Sequence, residues 1–268
     1  MATSSSDKHN PISSPPLQDR VAIVTGASRG IGRAIALHLA SLGAKLVINY
    51  TSNKVQADLV ATEINSSFPG STPQALTVQA DVSDPSQVKS LFDIAEQFFN
   101  SQPYILVNSA GVSIAKITPV ADTSLEDFDR ILRVNTRGAF LCAKEASNRL
   151  KRGGGGRIIL VSSSIVASLR PGNAAYAASK AAVDTMVKIL AKELKGTGIT
   201  ANCVSPGPIA TDMFFAGKTE EMVEKAIDEC PLGRLGQSED VAPFVGFLAT
   251  DASEWVNGQV IRVNGGYI

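Results

Sequence analysis

Seven short apolar runs, each separated from the next by a stretch with helical spacing, constrain this chain more than any other feature of its sequence. The runs are "RVAIVTG" (20–26), "AKLVINY" (44–50), "ALTVQAD" (75–81), "YILVNSAG" (104–111), "RIILVSSS" (157–164), "GITANCVSPG" (198–207) and "GQVIRVNGG" (258–266). Most are rich in Val and Ile and lack a polar second face, as strands buried on both sides do. Helical patterns lie between them at 30–43, 53–65, 83–99, 124–151 and 173–195, then at 212–229 and 238–249. This alternation predicts an α/β chain: a doubly wound, Rossmann-type, seven-stranded parallel sheet with helices on both faces. Ligands of such sheets gather at the carboxyl ends of the strands.

The 268 residues suffice for one large core, and no Pro/Gly/Ser-rich break divides the interior, so a single domain is expected over 19–268. Lys and Arg together number 25, as do Asp and Glu. With no basic surplus, no nucleic-acid partner is expected, and no apolar run is long enough to span a membrane. Cys142, Cys203 and Cys230 are odd in number and widely spaced, which fits neither a disulfide framework nor a zinc site. Two histidines, His9 and His38, are too few for a His-based metal centre, so no metal is expected. The free thiols suit a reducing compartment, and the cytoplasm is the expected location. Residues 1–18 are polar and rich in Ser and Pro, without the apolar segment of a secretory signal. They read as a disordered lead-in, with organelle import left open.

The first strand runs into "TGASRGIG" (25–32), which places Gly26, Ser28, Arg29, Gly30, Ile31 and Gly32 where a strand turns into a helix. Glycines there let a pyrophosphate approach backbone N–H groups and the helix N-terminus. NAD sites of this kind put an acid at the end of the second strand to hold the ribose hydroxyls. Here that end reads Tyr50, Thr51, Ser52, Asn53, with no carboxylate to repel a 2′-phosphate, and Arg29 offers a cation to one. The expected coenzyme is NADP(H). Asp81 and Val82 follow the third strand, where the carboxylate could meet an adenine amino group or cap the next helix. Asn108, Ala110 and Gly111 follow the fourth and would line the cofactor.

"AAYAASKAA" (174–182) sets Tyr176 and Lys180 four positions apart on a helix of small residues, and such positions are neighbours. A cationic amine beside a phenol favours the phenolate and lowers its pKa from about 10. Tyr176 is therefore a candidate acid–base group. Ser163, thirteen positions earlier at the end of the fifth strand, can be turned back toward it. Asn135 lies within a long helical stretch, where it costs helix propensity, which suggests that it holds a water or bends the helix. "VSPGPIATDM" (204–213) follows the sixth strand, and Pro206-Gly207 is expected to make a sharp turn over the site.

Together, "TGASRGIG", "NSAG", "RVN", a Ser, "YAASK" and "PGPIATDM" resemble the short-chain dehydrogenase/reductase family in order and spacing, over residues 20–266. "RGGGGRII", "YAASKAAV", "AKELKGTGITANCVSPGP" and "NGQVIRVNGGY" are similar to its plant NADPH-dependent aldehyde reductase-like branch. The family's Asn-Asn-Ala-Gly motif has Ser109 in place of the second Asn. The resemblance implies a tetrad. Tyr176 is the general acid for carbonyl reduction, and Lys180 lowers its pKa, binds the nicotinamide ribose and passes protons. Ser163, rather than Ser162 or Ser164, holds the carbonyl oxygen. Asn135 fixes a water linking Lys180 to bulk, and Ile209 and Thr211 grip the carboxamide.

The implied function is NADPH-dependent reduction of a small aldehyde or ketone. A lid is expected over about 210–233. Met213, Phe214 and Phe215 either face the cofactor and substrate or pack under that lid. Leu169, Arg170 and Ile114 border the pocket, with Arg170 either meeting an acidic substrate or pointing to solvent. Two other readings stay open: a 3-oxoacyl-[acyl-carrier-protein] reductase, and a non-catalytic dinucleotide-binding scaffold. The family is commonly tetrameric, so a homotetramer or homodimer is expected.

Overall fold

The computed structural model describes residues 14–268 apart from 69, 71 and 115. Its strands are β1 (Val21–Thr25), β2 (Lys45–Tyr50), β3 (Ala75–Gln79), β4 (Ile105–Asn108), β5 (Gly156–Val161), β6 (Ile199–Pro206) and β7 (Val260–Val263). They form one parallel sheet in the order β3-β2-β1-β4-β5-β6-β7. The helices are α1 (Gly30–Ser41), α2 (Lys54–Ser67), α3 (Pro85–Phe99), α4 (Leu125–Ile131), α5 (Ala139–Arg149), α6 (Ile165–Ser168), α7 (Ala174–Glu193), α8 (Asp212–Phe215), α9 (Glu220–Asp228) and α10 (Ser238–Ala249). The expected doubly wound sheet is thus observed. Its order reverses at β1, which opens a crevice between the carboxyl ends of β1 and β4.

Strand periodicity explains why the apolar runs lack a polar face. Along β1, Ala22 and Val24 pack with Ile35, Leu39, Val60 and Val245 under α1, α2 and α10. The alternate residues Val21 and Ile23 pack with Leu91, Phe92, Ala146 and Val187 under α3, α5 and α7. Each large apolar side chain buried this way contributes about 1.5–3 kcal/mol. A charged side chain of the sheet itself lies within these layers. Arg157 on β5 is fully buried and donates to Gly156 O, Thr250 O and the Asp251 carboxylate, which Arg20 also holds. His38 on α1 packs against Gly246 on α10, where a Cβ would lie 2.5 Å from the ring.

Three boundaries differ from the sequence expectation. The lead-in ends before residue 18, because Leu17 is fully buried and its N–H donates to Leu42 O at 2.9 Å. Residues 1–13 lie outside the described residues. The pattern at 124–151 is α4 and α5 joined through a π-helical turn, Leu132–Gly138, that contains Asn135. Within that turn Gly138 meets Val82 so closely that a Cβ would lie 2.8 Å from the valine Cγ2. The pattern at 212–229 divides into α8 and α9, because Gly217 takes a φ of 71° and Thr219 caps α9 by accepting from Met222 N. Among the described residues no helix is long and apolar enough to cross a membrane.

Candidate active site

The glycine loop is built by close approach. Gly26 and Gly30 have φ of 61° and 54°, the region that favours glycine. A Cβ on Gly26 would lie 2.8 Å from Ala110 Cα, and one on Gly32 would lie 2.4 Å from Gly26 O. The loop is drawn against the segment after β4, which leaves backbone N–H groups and the α1 N-terminus as a cradle for an anion. Thr25 fastens the same junction: its hydroxyl donates to Asn108 Oδ1 at 3.2 Å and accepts from Ala110 N at 3.1 Å.

Asn49 on β2 escaped the sequence reading, although a polar residue inside "LVINY" was a signal. It is 1% exposed. Its Oδ1 accepts from Gly26 N at 3.2 Å, and its Nδ2 donates to Ala80 O at 3.0 Å and Val78 O at 3.3 Å. Its backbone O accepts from Ala27 N at 2.9 Å. One amide thus ties the glycine loop to the ends of β2 and β3.

The expected nucleotide-edge residues divide. Ser28 is half-buried and Ile31 packs against the core. Arg29 is exposed and 3.5 Å from the Asp212 carboxylate. Thr51, Ser52 and Asn53 are exposed, and Asn53 Oδ1 caps α2 by accepting from Gln56 N at 3.1 Å. Tyr50 departs from expectation. Its side chain is buried in the core, because the alternation along β2 turns it inward, and its carbonyl accepts from Ala80 N. Asp81 Oδ1 accepts from Ser83 N and Oγ, both at 2.8 Å, while Asp84 caps α3. Val82 is buried.

The ends of β5, the π-helical turn and α7 bring the four candidate catalytic residues together. Ser162 and Ser164 are buried and donate to Lys180 O and Ser205 O. Ser163 between them is half-exposed, and its hydroxyl is close enough to the Tyr176 phenol to favour its ionised form. Lys180 is 4% exposed, its Nζ donates to Val161 O at 2.8 Å and lies 5.9 Å from the Tyr176 ring centroid. Burial pulls this ammonium down to about 8, with Cys203 and Asp184 opposing. For Tyr176 the balance differs from expectation. Burial raises the phenol's pKa, and the Ser163 hydroxyl, rather than the charge of Lys180, is what opposes it.

Asn135 is buried. Its Oδ1 accepts from Val112 N at 2.8 Å, and its Nδ2 donates to Val112 O at 2.9 Å and Ser179 Oγ at 3.0 Å. Ser179 Oγ in turn donates to Tyr176 O at 2.7 Å, so the π-helical turn is fastened to the first turn of α7. A Cβ on Gly111 would lie 3.3 Å from Asn135 Oδ1 and 3.5 Å from Lys180 Nζ, so glycine keeps the two facing each other.

Pro206 and Gly207 do not make the expected sharp turn. Pro206 pairs with Val263, and Gly207 N donates to Val263 O at 3.1 Å, so the chain stays in the sheet. Ile209 then bridges to Gly236, and Thr211 caps α8 by accepting from Phe214 N. Thr211 Cγ2 lies 3.4 Å from where a Gly30 Cβ would stand, so α8 begins against the glycine loop. Met213 and Phe215 are exposed, while Phe214 is half-buried under Lys218, whose Nζ is 4.5 Å from its ring centroid. Leu169 is exposed with a φ of 49°, and Ile114 is half-buried. Arg170 does not simply point to solvent: it pairs with Glu229 and lies 5.2 Å over the Tyr267 ring.

A family model described as enoyl-(acyl carrier protein) reductase matches residues 26–268. The chain is 66% identical to the Arabidopsis thaliana "NADPH-dependent aldehyde reductase-like protein, chloroplastic", over 97% of this chain and 99% of that protein. It is 58% identical to a Picea abies "short-chain type dehydrogenase/reductase", over 94% and 93% of the respective chains. The crystal structure of a Burkholderia cenocepacia short chain dehydrogenase in complex with NADP matches with a TM-score of 0.85 and 34% identity, covering 94% of this chain and 99% of that one.

If Asn49 presets the glycine loop, Asn49→Ala leaves Gly26 N–H without its side-chain acceptor and Ala80 O without the amide it accepts from. Binding of NADPH, followed by its fluorescence, is expected to weaken by roughly 10-fold, with kcat retained at saturating NADPH. Unchanged affinity would contradict this role.

Proposed function

The chain belongs to the short-chain dehydrogenase/reductase family, and from that membership we propose that it reduces a small aldehyde or ketone to the alcohol with NADPH. The observation that carries the proposal is that the half-exposed Ser163 and Tyr176 side chains face each other beside a buried ammonium, that of Lys180, whose Nζ lies 5.9 Å from the Tyr176 ring centroid. The relative named as NADPH-dependent and the neighbour holding NADP support the coenzyme. So does the chain itself: the Gly26 and Gly32 approaches leave a cradle a Cβ would fill, the edge beyond β2 carries exposed Thr51, Ser52 and Asn53 in place of a carboxylate, and the glycine loop carries exposed Arg29.

NADPH, when bound, supplies the hydride. Ser163 Oγ and the Tyr176 hydroxyl together hold the carbonyl oxygen, and Tyr176 delivers the proton to the alkoxide that develops there. Lys180 stabilises the phenolate left behind, because a nearby positive charge favours the ionised phenol. Val161 O fixes that ammonium, and the Asn135–Ser179 hydrogen bonds fix the helix turn that carries Tyr176. Asn135 Oδ1 and Lys180 Nζ both lie close to Gly111, which supports the reading that they share a water. Residues 210–233 act as the lid, with Met213 and Phe215 offering apolar surface to the substrate.

Consumption of NADPH is to be followed over a panel of aldehydes, ketones, 3-oxoacyl thioesters and enoyl thioesters, the last two because of the family model's description. We expect the aldehydes and ketones to be preferred. Tyr176→Phe is expected to lose at least about 100-fold in kcat while binding NADPH normally; a variant as active as the parent would exclude Tyr176 as the acid. If the protein binds NADPH but turns over no member of the panel, it is a dinucleotide-binding scaffold. Arg29→Ala is expected to raise the KM for NADPH roughly 10-fold and leave that for NADH alone. Equal effects on both would contradict a contact to the 2′-phosphate.

For location, the name of the Arabidopsis relative favours a plastid over the cytoplasm; a fluorescent fusion of the full chain confined to the cytosol would rule that out. For assembly, half-exposed Phe140 on α5 and Ile189 on α7 favour a homotetramer or homodimer. A monomer mass by light scattering would exclude both.

A further inference from the structure

One turn beyond Lys180, Asp184 on α7 belongs to a polar cluster that the proposed chemistry leaves unused. Cys203 on β6 donates its thiol to Asp184 Oδ1 at 3.5 Å. The Ser162 hydroxyl lies between this carboxylate and the Lys180 carbonyl, 3.4 Å from the latter. On the outer side a cavity of about 550 Å³ is lined by Asp184, Lys188, Ser163, Ser205 and Arg262 among others. Asp184 therefore has one side open to water, while Lys180 has almost none.

The groups facing this pair can be named element by element. On α7 they are Tyr176 and Lys188; on β6, Cys203; on β7, Arg262, across the cavity. From the π-helical turn, Asn135 and Thr136 reach α7, and neither titratable. Burial pushes the Cys203 thiol well above its ordinary range, so it is neutral at neutral pH. Of the two groups that oppose the loss of charge on Lys180, Cys203 and Asp184, only Asp184 is then available as an anion. Burial raises the Asp184 carboxyl, and the Cys203 thiol and the neighbouring Ser162 hydroxyl oppose that rise.

We propose that Asp184 is a positioning residue whose carboxylate is the counter-charge that keeps the buried Lys180 ammonium protonated at neutral pH. Lys180 and Asp184 stand at i and i+4 on one helix, in surroundings where Coulomb attraction is stronger than in water. The consequence for turnover rests on the reading of Tyr176 and Lys180 as the proton-delivering pair. The sign follows directly. Removing the carboxylate disfavours the protonated amine, so Lys180 loses its proton at lower pH. A reduction that needs the ammonium then fails at lower pH as well.

The test uses full-length protein with NADPH, labelled with ¹³C at lysine Cε. The Lys180 resonance is assigned by its loss in Lys180→Arg and titrated by NMR. Asp184→Asn, close in shape, is expected to lower its midpoint by roughly one pH unit. The alkaline limb of kcat/KM should fall by the same amount, and Asp184→Glu should restore both in part. NADPH affinity and Tm should stay near the parent's, which separates an electrostatic effect from lost packing. If Asp184→Asn does not fold, Asp184→Ser carries the same comparison. An unmoved Lys180 midpoint in the charge-removing variant overturns the proposal. A shifted midpoint in a protein that reduces no carbonyl supports the counter-charge and sinks the functional reading instead.

Discussion

Lys180 places an ammonium group where water hardly reaches it, and the other features of the site are arranged around that fact. Taking such a charge out of water costs several kcal/mol unless polar partners compensate. Here the compensation is sparse: one carbonyl, Val161 O, at 2.8 Å, and the nearby Asp184. Burial still pulls the amine down to about 8. A lysine in that range holds its proton at neutral pH and releases it readily. Burial also pushes Tyr176 toward its protonated form, which suits the acid role proposed for it. The neutral hydroxyl is the resting state, and Ser163 is the group that opposes burial there.

The sheet makes this possible by supplying rigid ends. Lys180 is anchored at the end of β5, and the glycine loop is anchored at the end of β1. Asn49 and Thr25, both buried side chains, fix that loop to β2, β3 and β4 through hydrogen bonds that do not depend on any ligand. The cradle and the hydroxyl pair are thus held by elements of one sheet, which is how an orientation can be set before reactants meet. Segments farther out, α8 and α9, are joined through Gly217 and held by contacts such as Arg170 with Glu229.

Much of this was legible in the sequence because it follows from periodicity. Uninterrupted Val/Ile runs report strands covered on both faces, and Gly26, Gly30 and Gly32 report a loop that must come close to something. Tyr176 and Lys180 were readable because helix spacing alone makes them neighbours. What the sequence concealed depends on contacts between distant residues. The inward position of Tyr50 follows from α1 and α2 covering the face that it shares with Leu46 and Ile48. Asn49 matters because Val78 and Ala80, some thirty positions on, present carbonyls to it. The π-helical turn at Leu132–Gly138 is imposed where Gly138 meets Val82 and Asn135 meets Val112. Ser163, not Lys180, proved to be the group that opposes burial at the Tyr176 phenol, and that balance depends on how deeply the pair is buried.

The central claim is that Lys180 is buried for its charge and not for its packing. Lys180→Met keeps the side chain's length and apolar stem but removes the ammonium, and a buried charge replaced by an apolar group of similar size is often neutral or stabilising. Thermal unfolding and NADPH-dependent reduction should therefore be measured together on this variant. The account predicts a Tm equal to or above the parent's with reduction lost. A lowered Tm with reduction retained would contradict it.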